Sequence, residues 1–232
     1  GPCDNANFGC FLFDANVSWV ADKMGQLLAN GGWMHSVVLD PVDSTFVIYR
    51  QNTGQLWTQP FDKNRRTLNP NKAKRIGTLY NTGSNGLCAY NPVDKYVYCV
   101  LHSKSAVYRF KLTRDADGWP ALDGDIDEYI PGAGAGFRDG DVQEAQFKEP
   151  RGIAIDKEGN LYIADVGNNR IRKVDTKLNV VTTIAGSGAA GYKDGDRLEA
   201  QFNQPWGVYL DKNEFLYIAD QNNHCIRKLA IE

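Results

Sequence analysis

Hydrophobic and polar positions along this chain come in short alternating bursts. Apolar runs of about four to eight residues, bounded by Gly, Pro, Asn and Asp, predict strands, and no stretch carries the spacing of an amphipathic helix. The clearest burst, PRGIAIDKEGNLYIADVGNNRIRK from Pro150 to Lys173, returns as PWGVYLDKNEFLYIADQNNHCIRK from Pro205 to Lys228. Laid over each other at an offset of 55, Gly136 to Lys173 and Gly191 to Lys228 agree at 21 of 38 positions. A period of this size marks an array in which each unit buries its face against the next.

Fainter copies precede these two. HSVVLDPVDSTFVIYR from His35 aligns with Arg151 to Val166, and AYNPVDKYVYCV from Ala89 aligns without a gap with Ala154 to Asp165. GCFLFDANVSWVAD, residues 9–22, fits after one deletion. The turn after the first strand is thus marked by Asp14, Asp40, Asn91, Asp156 and Asp211, with 26, 51, 65 and 55 positions between them. A second aspartate closes the second strand at Asp22, Asp165 and Asp220, and in the ungapped alignment Tyr49 and Val100 replace it. GQLWTQPF, AKRIGTLYN, SAVYRFKL, DIDEYIPG and NVVTTIAG supply further strands, and the last copy stops after HCIRKLAI. The pattern therefore predicts an all-β fold: a β-propeller of four-stranded blades in one domain over residues 1–232, with five repeats expected and six the alternative. An N-terminal strand would complete the last blade and close the ring, removing the sheet edges that invite aggregation.

Composition adds limits. The chain is 42% hydrophobic and 23% charged, an ordinary globular balance, and its formal charge of -2 comes from interspersed signs. Without a basic field, nucleic acid is not the expected partner. No apolar run has the length of a membrane span. The chain opens on Gly1, not Met, which leads to the expectation that a leader or a preceding domain was removed. Five cysteines (Cys3, Cys10, Cys88, Cys99 and Cys225) show no CxxC spacing, so a structural zinc is not expected. Cys88 and Cys99 flank the Asn91 to Lys95 turn and could form a cross-strand pair. The preferred reading is a small packed thiol, because Cys99 aligns with Ala164 and Ala219.

PxGIAID, GNLYIAD, NNRIRKV and the connecting DGDxxEAQFxxP resemble NHL repeats, specifically those of bacterial extracytoplasmic arrays. The resemblance is strongest over Phe137 to Lys228 and weaker over His35 to Ile130. It implies a propeller used as a platform for protein, RNA or small ligands, with a few relatives acting as lyases or resembling lactonase-type hydrolases. It also implies a secreted, periplasmic or cell-surface location, often behind an immunoglobulin-like domain.

The candidate chemistry is sparse. GAGAGFRDGD and GSGAAGYKDGD are glycine-rich, but neither precedes a helix or carries a Lys-Ser or Lys-Thr pair, so a structural loop is preferred to a phosphate cradle. Asp165, Asp220 and Asp22 fit turn stabilisation, since Asp readily bonds nearby amides. If they converged they could hold calcium. His35, His102 and His224 occupy different repeat positions, which speaks against a shared zinc site. No nucleophile elbow appears, so no catalytic residue is assigned. Tyr162 and Tyr217 share one strand position and are expected in the core. The position before the repeated glycine is chemically uneven: Gly9, His35, Gly86, Arg151 and Trp206. At the mouth of a propeller these would form a ring. Its plainer account is an exposed position free to vary. The alternative is a ligand site carried by His35, Arg151 and Trp206, because Arg and Trp are frequent interface anchors. The sequence reading is thus a non-enzymatic platform with a protein, carbohydrate or small-molecule partner at the mouth and no cofactor expected. Its alternative is a metal-dependent lyase or lactonase-like hydrolase.

Overall fold

Apolar stretches that are covered on both faces stay continuous, as in LYIAD, whereas half-covered ones alternate. That distinction runs through the computed structural model, which describes residues 34–42, 45–51, 54–62, 67–68, 72–79, 86–132 and 134–231. Its strands are β1 (Met34–Leu39), β2 (Phe46–Gln51), β3 (Gln55–Asp62), β4 (Thr67–Leu68), β5 (Lys74–Thr78), β6 (Cys88–Tyr90), β7 (Tyr96–Leu101), β8 (Ala106–Arg114), β9 (Pro120–Ile130), β10 (Gly140–Asp141), β11 (Pro150–Ile155), β12 (Leu161–Asp165), β13 (Arg170–Asp175), β14 (Val180–Ala185), β15 (Pro205–Leu210), β16 (Phe215–Asp220) and β17 (Cys225–Ala230). Among the described residues, helix is confined to three-residue turns after β7, β12 and β16. The copy around Asp14, and with it Gly9, Asp22, Cys3 and Cys10, lies outside the described residues.

The strands fall into two units. The first holds a sheet in which β1, β2 and β3 follow in order and both β4 and β5 pair with β3. The tip of the β8–β9 hairpin, Leu112–Asp123, belongs with it. There Arg114 pairs with Asp40, Lys74 with Asp115, and the Trp119 ring lies 5.1 Å from Phe46.

The second unit contains three antiparallel meanders: β6-β7-β8-β9, β11-β12-β13-β14 with β10 added beyond β14, and β15-β16-β17. Tyr98, Val100 and Val107 of the first meander share a buried cluster with Ile153, Leu161 and Ile163 of the second. Tyr162, Ala164 and Ile171 share another with Leu216 and Ile218 of the third. Tyr162 is buried as expected, while Tyr217 is only partly covered. Four-stranded meanders packed in series, with the last stopping after its third strand, are the blades of a β-propeller.

The turn residues explain the repeat. Asp156 Oδ1 accepts from the Glu158 and Asn160 amides at 3.0 and 2.7 Å, and Asp211 Oδ1 accepts from Asn213 and Phe215 at 2.9 and 3.0 Å. Asn91 and Asp40 accept in the same way from Val93 and Val42. The turns differ in length, however. Asp156 and Asp211 donate their amides to Asn160 and Phe215, four residues on, whereas Asn91 reaches Tyr96 and Asp40 reaches Phe46, five and six residues on. The ungapped alignment therefore slips after the turn. Pro150 faces Asp165, Pro205 faces Asp220, and Met34 faces Gln51, so Gln51 and not Tyr49 takes the place of the second aspartate. In the third copy Leu101 takes it, not Val100, since Leu101 and Asp165 both open the three-residue turn.

One consequence corrects the cysteine reading. Cys99 is not the counterpart of Ala164 but of Ile163, because Cys88 faces Cys99 where Ile153 faces Ile163 and Val208 faces Ile218. A directly opposed cross-strand pair brings the two sulfurs together, and Cys88 and Cys99 form a disulfide with Cα atoms 4.1 Å apart. The packed-thiol expectation is overturned.

The second aspartate and the connecting motif belong to one clamp. Asp165 accepts from the Lys148 amide, Asn168 and Arg172 at 2.8, 2.9 and 2.7 Å. Arg172 is fully buried and also reaches Asp139 and the carbonyls of Gln146 and Arg138. Asp220 and Arg227 repeat the arrangement with Asn203, Asn223, Asp194, Gln201 and Lys193. The DGD and EAQF segments are thus loops fastened to the third strand of their own blade.

Candidate functional site

In three of the four described copies the first strand begins with an irregularity at one register point. The pairing shifts between Met34 and Ser36, between Pro150 and Ile153, and between Pro205 and Gly207. His35, Arg151 and Trp206 sit in these bulges, and an unpaired bulge residue is re-aimed out of the sheet. Gly86 holds the matching place before β6, with a positive φ of 141°. The side chain of His35 lies outside the described ones. Gly152 is glycine because β11 and β15 converge there: a Cβ would fall 2.7 Å from the Trp206 carbonyl oxygen and 2.9 Å from the Val208 nitrogen.

The residue before each proline fixes the entry of the strand. Glu149 and Gln204 both adopt left-handed backbone, φ 52° and 54°. Each amide donates to a side chain capping the turn of the preceding blade, Ser105 Oγ at 3.2 Å and Asn169 Oδ1 at 2.9 Å. A conformation that costs free energy is thus held by a bond between neighbouring blades, and the bulge residue follows two positions on.

In the second unit these devices bring together Arg151, Trp206 and His102. The Arg151 guanidinium lies 3.5 Å from the Trp206 ring centre. Its Nη2 is 2.9 Å from His102 Nε2, and its carbonyl accepts from the Leu87 amide at 3.0 Å. Trp206 keeps 38% of its surface exposed. Burial, and then the Arg151 charge, hold the His102 imidazole below its ordinary pKa, while Glu149, 4.0 Å away, pulls the other way. A neutral ring with its Nε2 lone pair toward Arg151 is the form that accepts the bond. Burial also lowers the Arg151 pKa, opposed by Glu149. The cluster offers a donor edge and a flat aromatic face.

His102 was not singled out for this role in the sequence. The available signal was its place at the end of the second strand, which runs antiparallel to the first and so ends where the first begins. His224 lies at the far end of such a turn, in left-handed backbone. Asp165 and Asp220 belong to the clamps described above. Among the described residues, no group of three or more His, Cys, Asp or Glu side chains gathers in a metal-holding arrangement.

Serial meanders, Asx turns after the first strand and Asp–Arg clamps define the class as an NHL-repeat β-propeller. A family model described as Teneurin NHL domain matches residues 28–194, and one described as NHL repeat matches residues 202–229. The first spans more than half of the chain, so this chain belongs to the Teneurin NHL domain family. It is 28% identical over 222 residues to Protein SUPPRESSOR OF QUENCHING 1, chloroplastic, from Arabidopsis thaliana, covering 90% of this chain and 20% of that protein. It is 39% identical over 103 residues to NHL repeat-containing protein 2 from Bos taurus, covering 41% and 14%. An auxiliary nutrient binding protein from Bacteroides thetaiotaomicron VPI-5482 shares the fold with TM-score 0.67 at 24% identity, over 84% of this chain and 47% of that one. The chain therefore spans a fifth or less of these curated relatives and just under half of the structural one. No helix among the described residues is long and apolar enough to cross a membrane.

Proposed function

We propose that this chain is a non-enzymatic binding platform that holds its partner at the ends of the innermost strands, through Arg151 and Trp206. The observation that carries the reading is the bulge-presented Arg151–Trp206 stack. A rim position that was merely free to vary has no reason to interlock side chains from two blades over a third residue, His102. The partner is a protein, a carbohydrate or another small ligand. Family membership alone does not choose among them, because function resides in sites grafted onto a fold. The Cys88–Cys99 disulfide supports a location outside the cytoplasm, where such bonds persist; thiol alkylation of the chain in its own cell, without reductant, reads this directly, and free Cys88 and Cys99 would count against it.

The test is capture by the immobilised chain from a panel of proteins and glycans, repeated with Arg151→Ala and Trp206→Ala. Both variants are expected to lose the same partner while melting close to the parent, since both residues lie at the rim. Binding retained by both, or chelator-sensitive turnover of a lactone or ester, would overturn the reading.

A further inference from the structure

The Arg151 guanidinium is braced through its flat face. Its N–H bonds lie in the plane of the group, so the stack on Trp206 orients it without using a donor. Among the described residues only Nη2 meets a protein acceptor, His102 Nε2, and Nε is buried with no partner. Nε has no surface an incoming group could reach, so the donors open to a ligand are those of the two Nη atoms, and Nη1 has no protein acceptor among the described residues.

Charge decides which acceptor fits. The cluster holds one fixed cation and, 4.0 Å from His102, the half-exposed carboxylate of Glu149. That balance is poor for a dianionic phosphate or a polyanion and adequate for a monoanion. A planar carboxylate also matches two neighbouring N–H donors of a guanidinium, which a single point acceptor does not. We infer that Arg151, braced by Trp206 and steadied by His102, binds a carboxylate of the partner, either an acidic side chain or a chain terminus. The inference rests on the platform reading and adds the ligand chemistry.

The experiment follows the Arg151 Nη–H resonances of the whole chain by ¹⁵N-edited NMR at low temperature, assigned with Arg151→Lys. The probes are N-acetylglycine, N-acetylglutamic acid α-amide, inorganic phosphate and the neutral N-acetylglycinamide at matched ionic strength. A saturable downfield shift is expected with at least one carboxylate, the tighter of the two naming the source, and not with phosphate or the amide. Arg151→Gln is expected to weaken carboxylate binding at least tenfold at unchanged melting temperature, and Trp206→Leu by several-fold. No shift with either carboxylate, or an equal shift with phosphate or the neutral amide, overturns the inference. If Arg151→Ala still abolishes partner capture in that case, the platform reading survives with a different ligand chemistry.

Discussion

Replacing Arg172 by methionine removes the centre of the fourth-copy clamp. Both Arg172 and Asp165 have no exposed side-chain surface, and the guanidinium makes five hydrogen bonds, to Asp139 twice, to Asp165 and to the carbonyls of Gln146 and Arg138. In Arg172→Met the Asp165 charge stays buried with only Asn168 and the Lys148 amide to face it. Removing one partner of a buried pair costs about 3–5 kcal/mol, a large share of the roughly 5–15 kcal/mol that holds a folded domain. At roughly 2–4 °C per kcal/mol for a chain of this size, the melting temperature should fall by about 6–20 °C. The third copy shows the apolar alternative, with Leu101 and Tyr108 in the corresponding places, so Asp165→Leu combined with Arg172→Tyr should recover more than half of the loss. Urea unfolding, followed by far-UV circular dichroism and tryptophan fluorescence with coincident transitions, measures Arg172→Met, the double variant and its two singles. A cost below about 1 kcal/mol for Arg172→Met, or a double variant equal to the sum of its singles, would refute the argument.

Opening the Cys88–Cys99 disulfide should destabilise the chain by about 3 kcal/mol, the loop-closure entropy of a short closed loop; melting with and without dithiothreitol reads it, and Cys88→Ile with Cys99→Ile, which restores the isoleucine pair of the fourth copy, should melt above the reduced parent. The folded state holds His102 below its ordinary value of 6.5, so the unfolded chain takes up the proton first. The associated stability is therefore full above that pH and is lost as pH falls below it, and His102→Gln should flatten that part of a pH–melting curve.

The two C-terminal copies were legible because both their turn and their clamp are intact: Asp156 and Asp211 open turns of equal length, so the alignment keeps its register to Arg172 and Arg227. The fainter copies misled at one point. A turn longer by one residue at Asn91, or by two at Asp40, leaves the apolar runs looking alike while every later position shifts, and in a strand a shift of one residue exchanges the faces. That is why the ungapped alignment sets Cys99 against Ala164 and favours a packed thiol over the cross-strand pair with Cys88. Arg151 and Trp206 could be set at the same rim position from the repeat alone. Their stacking could not, and neither could His102, because those contacts are made between consecutive blades and leave no periodic trace.

The aspartate and arginine of the clamp come and go together: Asp165 with Arg172, Asp220 with Arg227, but Leu101 with Tyr108, and Gln51 with Trp57. Neither charge can be buried alone, so a blade keeps the pair or loses both. The same reasoning separates the arginines of the second unit by role. Arg172 and Arg227 lie over aromatic rings, as Arg151 does, yet their donors end on carboxylates and carbonyls of their own blade. Arg151 has the same ring support, but among the described residues only its Nη2 meets an acceptor, His102, and Nη1 meets none. An arginine whose position is fixed while its donors remain unspent does not complete the fold, and the hydrogen bonds it lacks are those a ligand would supply.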